Sequence, residues 1–270
     1  MRTSGVTDVV VGMHPNDHLC WPFDDFAEFR ARAAEFLADG LELGQRACYV
    51  ARGDDLATHL ATEPVLAEAL RDGRAEVVRL EPRSATATPE EQVKVYAAAT
   101  RAALRDGFTG LRVAADATAL VRSPDSLDAI CRYEHLIDRY MTAQPFSAMC
   151  AYHRAELPEP TIARLNSLHP VNNARCAPFR LHATEDGIAL HGEIDSVSLD
   201  LLSLALDNAT PERGALRVDA TGLRFIDHHG LLTLHGYART NAATLVLRSQ
   251  RSSLARLVSL LGLNDVKCVR

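Results

Sequence analysis

The 270-residue chain has no apolar run of about 18 residues, so no hydrophobic helix spanning a membrane is expected. Its 6 cysteines are scattered, which argues against a disulfide scaffold. The net charge is -6 and no Lys/Arg cluster offsets it, so direct nucleic-acid binding is not expected. No helix-turn-helix is recognisable. No GxxxxGK[ST] occurs. After "CYVAR" the chain reads "GDDLATH", without the glycine-lysine cradle for phosphate, which excludes ATP hydrolysis by a P-loop. Internal repeats and low-complexity linkers are absent. The opening stretch, "MRTSGVTDVVVGMHPND", has a short apolar run and no cleavage region, and reads as unprocessed and cytoplasmic.

What is present is an ordinary globular composition, 47% hydrophobic and 24% charged, at a length that suits two domains. The first part alternates helix and strand. "FDDFAEFRARAAEFLADGLELG" places Phe26, Phe29, Ala33, Phe36 and Leu37 at helical spacing, with Gly40 near the stop. "QRACYVAR", "RAEVVRLEP", "GLRVAADATAL" and "FSAMCAYHRA" read as four strands. Between them lie a segment interrupted by Pro64, a helix opened by Thr88, Pro89 and Glu91, and the helix "SPDSLDAICRYEHLIDRYMTAQ". Such alternation predicts an α/β fold with a largely parallel sheet. A helix between proline-marked edges leads to irregular sequence near Asn172 to Ala177, which divides the chain into 1–175 and 176–270. The second part restarts with a hairpin turning at Asp186-Gly187. A helix with apolar Val197, Leu201 and Leu204 follows, then further strands and helices, the last ending at Gly262.

Two sets of residues carry potential chemistry. "LRFIDHHGL" runs a strand into Asp227, His228, His229 and Gly230, at a predicted helix start where unpaired N–H groups gather. Asp227 suits the cap. The field there opposes charging of the imidazoles, and adjacent histidines diverge too much to hold a metal unaided. The other set is His14, His18, Cys20, Cys48, Cys150, His153 and His169. Cys48 and Cys150 fall within strands, where a thiol is usually a small buried hydrophobe. His18 and Cys20, two apart on one loop, are weak candidates for a metal or thiol sensor, and no cofactor is expected.

The C-terminal part resembles a STAS domain of the anti-sigma factor antagonist type over Phe179 to Val266. The likeness rests on "LHGEID", "LRVDATGLRFID" and "HHGLLTLHGYAR" in that order. It implies a small mixed sheet with helices. It also implies a partner-binding switch loop at Asp195, Asp227, His228, His229 and Gly230. In phosphorylatable members the aspartate precedes two hydroxyl residues and a glycine. His229 stands at the phosphoacceptor position, so the serine hydroxyl of the switch is missing. Asp195 is also read as a cap for the helix that follows.

The N-terminal part resembles the MEDS sensory domain over Gly12 to Pro170, through "HLCWPF", "FLADGLELGQRACYV", "GFTGLRVAADATAL", "YEHLID", "MCAYHRA" and "LHP". The likeness implies a RecA-like sheet with flanking helices that has shed its nucleotide chemistry. It also implies a sensory pocket involving His18, Cys20, Tyr133, Glu134, Cys150, Tyr152 and His169. His153 stands where an acidic residue is expected, and Phe23 where tyrosine is frequent.

Together these readings imply a non-enzymatic cytoplasmic regulator. One domain senses a small molecule or other signal, and the other binds an anti-sigma factor or switch-type serine kinase. A homo-oligomer is compatible. A scaffold in a signalling complex is the rival. An enzyme using Cys150 with His153, His169 or Glu134 is a third reading, which requires sulfur and imidazole within hydrogen-bond reach in an open pocket.

Overall fold

The computed structural model describes residues 4–52, 56–80, 87–209 and 214–270. The acidic stretch after "CYVAR" lies partly outside them. The first sheet contains β1 (Gly5–Val6), β2 (His18–Phe23), β3 (Arg46–Ala51), β4 (Ala75–Arg79), β5 (Leu111–Asp116), β6 (Phe146–His153) and β7 (Val171–Asn172). Their order is β1-β7-β2-β6-β5-β3-β4, and every pairing is parallel. Its helices are α1 (Phe26–Glu42), α2 (Leu56–Leu60), α3 (Pro64–Asp72), α4 (Pro89–Arg105), α5 (Pro124–Met141) and α6 (Glu159–Ser167). The four strands expected from sequence are β3 to β6. β1, β2 and β7 were not expected. β2 is buried along its whole length and carries Pro22, so it shows neither alternation nor a clean strand composition.

Residue alternation across this sheet separates two cores. Leu19, Trp21, Tyr49, Ala114 and Met149 pack with Phe29 and Phe36 of α1. Cys20, Val50, Val113, Cys150 and Tyr152 face Cys131, Ile137 and Met141 of α5. Both surfaces of the parallel sheet are therefore covered.

Gly40 does not end α1, which continues to Glu42. It lies against the buried Arg112, whose Cδ would be 2.5 Å from an added Cβ. Arg112 donates to Asp39 Oδ2 at 2.7 Å, Gln45 Oε1 at 2.7 Å and Met13 O at 3.0 Å. The helix ends two residues later, as expected from a stop near Gly40, and Gly44 follows at φ 75°. At α4 the expected start holds: Thr88 and Glu91 form a reciprocal capping box, with Pro89 in the first turn.

The second sheet contains β8 (Phe179–Thr184), β9 (Gly187–Ile194), β10 (Ala215–Asp219), β11 (Leu223–Ile226), β12 (Thr244–Arg248) and β13 (Lys267–Val269). Its order is β11-β9-β10-β12-β13, with β8 antiparallel on β9 and the other pairings parallel. The helices are α7 (Leu199–Asn208), α8 (His228–Thr240) and α9 (Ser252–Leu260). The hairpin turns at Glu185-Asp186. Gly187 already pairs with Thr184, and a Cβ on it would lie 2.3 Å from Arg217 O. The buried face of α7 is Leu202, Ala205 and Leu206, whereas Val197 is 90% exposed ahead of the helix. β13, short and exposed, was not expected from sequence.

The core beneath α5 runs without interruption into the second sheet, through Phe179, Leu181 and Leu190. Polar contacts reinforce this junction. The Ala183 N–H on β8 donates to Asp138 Oδ2 at 2.7 Å, and Arg132 Nη1 donates to Asn208 O at 2.9 Å.

Candidate functional site

The register between β2 and β6 places Cys20 opposite Cys150 and His18 opposite Ala148. Side chains two apart on a strand share a face, so His18, Cys20 and Cys150 all turn toward α5. On that helix Glu134 and Asp138 are one turn apart and both point inward, fully buried. His169 enters from the segment between α6 and β7, its ring 4.1 Å from that of His18.

The resulting cluster is dense. His18 Nε2 lies 3.1 Å from Glu134 Oε2, and His18 Nδ1 lies 3.0 Å from Asp138 Oδ1. Cys150 Sγ is 3.6 Å from His18 Nε2 and 3.7 Å from Glu134 Oε2. Tyr152 donates its hydroxyl to Glu134 Oε1 at 2.7 Å. His169 Nδ1 donates to Leu165 O at 2.8 Å, since a carbonyl only accepts. Its Nε2 stands 3.5 Å from Glu134 Oε2 and makes no hydrogen bond.

These contacts divide the titration behaviour. Burial opposes charging of His18, but hydrogen bonds to Asp138 and Glu134, and their charges, prevail and raise its pKa. Burial likewise opposes ionisation of Glu134, yet the neighbouring histidines and the Tyr152 hydroxyl hold its carboxyl below the usual range. Burial and the charge of His18 push His169 down to about 4. Burial and the Glu134 carboxylate push the Cys150 thiol well up, which favours the thiol over the thiolate.

Beside the cluster is a largely apolar cavity of about 90 Å³, lined by Val113, Ile130, Tyr133 and Phe146 and reaching Glu134 and Cys150. Tyr133 thus belongs to the cavity wall rather than to the polar cluster.

Of the residues singled out from sequence, His18, Glu134, Cys150, Tyr152 and His169 come together. Cys20 does not join the four-donor group. It shares strand β2 with His18, not a loop, and its buried thiol, pushed well up by burial, lies near Asn166 and Cys176. Glu134 bonds to histidine and tyrosine rather than to an arginine. His153 is displaced from the cluster, with Nε2 3.2 Å from Asp24 O and Nδ1 3.3 Å from Glu156 Oε1. His14 is exposed, and Cys48, pushed up to about 12 by burial, sits by Glu76. Asp138 was missed by sequence reasoning. Its signal was the four-residue spacing from Glu134 within "YEHLID", which puts two carboxylates on the helix face that also carries Cys131, Ile137 and Met141.

On the second sheet, Asp227 caps α8 by accepting from the Gly230 N–H at 2.8 Å. His228 and His229 occupy the first turn, exposed, their rings 3.9 Å apart. Gly230 is buried, and a Cβ there would come within 2.5 Å of Ile194 Cγ2. Asp195 does not cap α7. Its carboxylate accepts from the Val197 and Ser198 N–H groups in the preceding turn, and Ser198 takes the cap position. Phe225, 52% exposed on the edge strand β11, adds apolar surface on this domain.

Comparison with known families assigns both halves. The family model described as MEthanogen/methylotroph, DcmR Sensory domain matches residues 17–170. The one described as Mlab, STAS domain matches residues 178–269. No curated protein matches the chain.

Proposed function

From the premise that this chain belongs to the MEthanogen/methylotroph, DcmR Sensory (MEDS) family and carries a STAS domain behind its sensory one, we propose a non-catalytic signalling regulator. The cluster and its cavity receive a signal, and the second sheet presents a protein-binding surface to an anti-sigma factor or switch-type serine kinase. The observation carrying this reading is Asp138, which touches both halves: one oxygen holds His18, and the other accepts the β8 amide of Ala183. A ligand that shifts His18 or Glu134 would therefore act on a residue bonded to the second sheet, and coupling follows if that contact differs between the ligand-free and ligand-bound states.

The cavity's largely apolar walls, with Glu134, Asp116, Gln92 and Ser126 as polar groups in the lining, suit a small, mostly apolar molecule that carries a polar group. A buried, protonated Cys150 supports sensing over nucleophilic catalysis. At the switch loop, exposed His228 and His229 offer no serine hydroxyl, which supports partner binding without phosphate control.

The test is capture of anti-sigma factors and switch kinases by the full chain, with and without ATP. Binding that ATP does not abolish, and that frees the sigma factor, supports a constitutive antagonist. Binding without sigma release points to the scaffold. No binding of any such kinase or factor overturns the antagonist reading.

A further inference from the structure

We propose that His18, Glu134, Cys150 and His169 form a four-donor site for one divalent transition-metal ion of the zinc or cobalt class. Their candidate donor atoms, Nε2 of both histidines, a Glu134 oxygen and Cys150 Sγ, all lie within 4.8 Å of one another, and all four residues are buried. A tetrahedral ion with bonds of ~2.0–2.3 Å separates its donors by roughly 3.3–3.8 Å. The Cys150–His18, Cys150–Glu134 and His169–Glu134 separations, 3.6, 3.7 and 3.5 Å, fall in that range. His18 and Glu134, at 3.1 Å, need to part by only a few tenths of an ångström.

Orientation is the stronger argument. Each histidine has its Nδ1 engaged on the far side, His18 by Asp138 and His169 by Leu165 O, so both Nε2 atoms face the centre. Hydrogen bonding at the remote ring nitrogen is how proteins fix a metal-binding imidazole. Tyr152 occupies Glu134 Oε1 and leaves Oε2 toward the centre. The His169 Nε2, fully buried, faces a carboxylate oxygen with no hydrogen bond between them. A cation between them satisfies both. A thiolate and a carboxylate with two neutral imidazoles supply two negative charges, which balance a divalent ion; on binding Cys150 gives up its thiol proton and His18 the Nε2 proton it directs at Glu134, both leaving to solvent. Soft sulfur and imidazole donors favour zinc, cobalt or nickel over magnesium or calcium. Glu134 and Cys150 also border the cavity, which provides a way in.

This deepens the sensory reading and rests on it only for what occupancy signals; binding itself is independent of that reading. The test begins with full-length protein, reduced and stripped with a chelator. It is titrated with Zn²⁺ and Co²⁺, with elemental analysis after dialysis. One ion per chain is expected, and the cobalt form should show a thiolate-to-metal charge-transfer band. H169A should weaken binding roughly tenfold or more. C150S should keep the fold and abolish the band. The surface variants C268S and H14A should bind like the parent, and circular dichroism shows which variants are folded. The proposal is overturned if the folded parent binds neither ion, if C150S retains the band, or if only the surface variants lose binding. Exchange of the Ala183 amide, measured with and without Zn²⁺, separates the two ideas. A bound ion that leaves that exchange unchanged sinks the coupling but not the site. No bound ion sinks the site and leaves an organic ligand for the sensor.

Discussion

Replacing Asp138 probes the junction between the two halves directly. Asp138→Ala removes the carboxylate from His18 Nδ1 and from the Ala183 N–H, contacts of 3.0 and 2.7 Å with both partners buried. Breaking a buried charged pair by deleting one member costs about 3–5 kcal/mol. An orphaned buried amide costs about 1–3 kcal/mol, and the two costs overlap because they share a side chain. A total of about 4–5 kcal/mol approaches the whole stability of a small domain, about 5–15 kcal/mol. The isosteric Asp138→Asn is therefore the finer instrument. Its carbonyl still accepts from Ala183, but its amide donates to His18 Nδ1 and drives the imidazole proton to Nε2, toward Glu134. We expect a loss of about 1–3 kcal/mol in urea unfolding, with Ala183 still protected from hydrogen exchange. In Asp138→Ala, Ala183 exchange should rise by roughly 5- to 150-fold, the equivalent of about 1–3 kcal/mol. If Asp138→Ala left both stability and Ala183 exchange as in the parent, the side chain would not join the halves and the coupling argument would fail.

Other perturbations test separate parts of the fold. Asp39→Ala leaves the Arg112 guanidinium, already held below its usual pKa by burial, without its carboxylate; urea unfolding should show a loss of about 3–5 kcal/mol. Gly230→Ala forces a methyl against the stiff Ile194 side chain and should cost about 1–3 kcal/mol, read as a lower thermal midpoint; an unchanged midpoint would mean that α8 shifts freely. Thr88→Ala removes the α4 capping box and should cost about 1 kcal/mol, with the helix start fraying in amide exchange. Burial, reinforced by Arg180, depresses the His191 pKa, so below its unfolded value of about 6.5 the unfolded chain binds the proton first. Stability should therefore fall as pH drops from about 6.5 through the folded pKa, and His191→Gln should flatten that part of the melting-temperature profile.

The elements legible in the sequence were those whose local signals agree with their surroundings. α4 announced itself by Thr88, Pro89 and Glu91, and β3 to β6 by apolar runs between turn residues. β2 was illegible because Pro22 and full burial erase alternation, and its absence put His18 and Cys20 on a loop. Once the strand is restored, its register with β6 brings His18 into the cluster beside Cys150. Gly40 does lie near the end of α1, two residues before it, but it is not what ends the helix. A glycine near a helix end resembles a stop, but here it makes room for the Arg112 side chain from β5, a contact formed 72 positions away in the chain. Asp138 was overlooked because a helical carboxylate is ordinarily solvated, and only the packing of β8 against α5 excludes water from it.

The sequence by itself determined the α/β class, the two-domain likeness, the missing phosphate cradle and the missing hydroxyl at His229, because these depend on residue types and local order. The tertiary structure alone decided that His18, Glu134, Cys150 and His169 meet, that Cys20 stands apart, and that Asp138 reaches the second sheet. Each of those outcomes depends on strand register and on which helix face meets the sheet, quantities set by the packing of the whole chain rather than by any one segment of it.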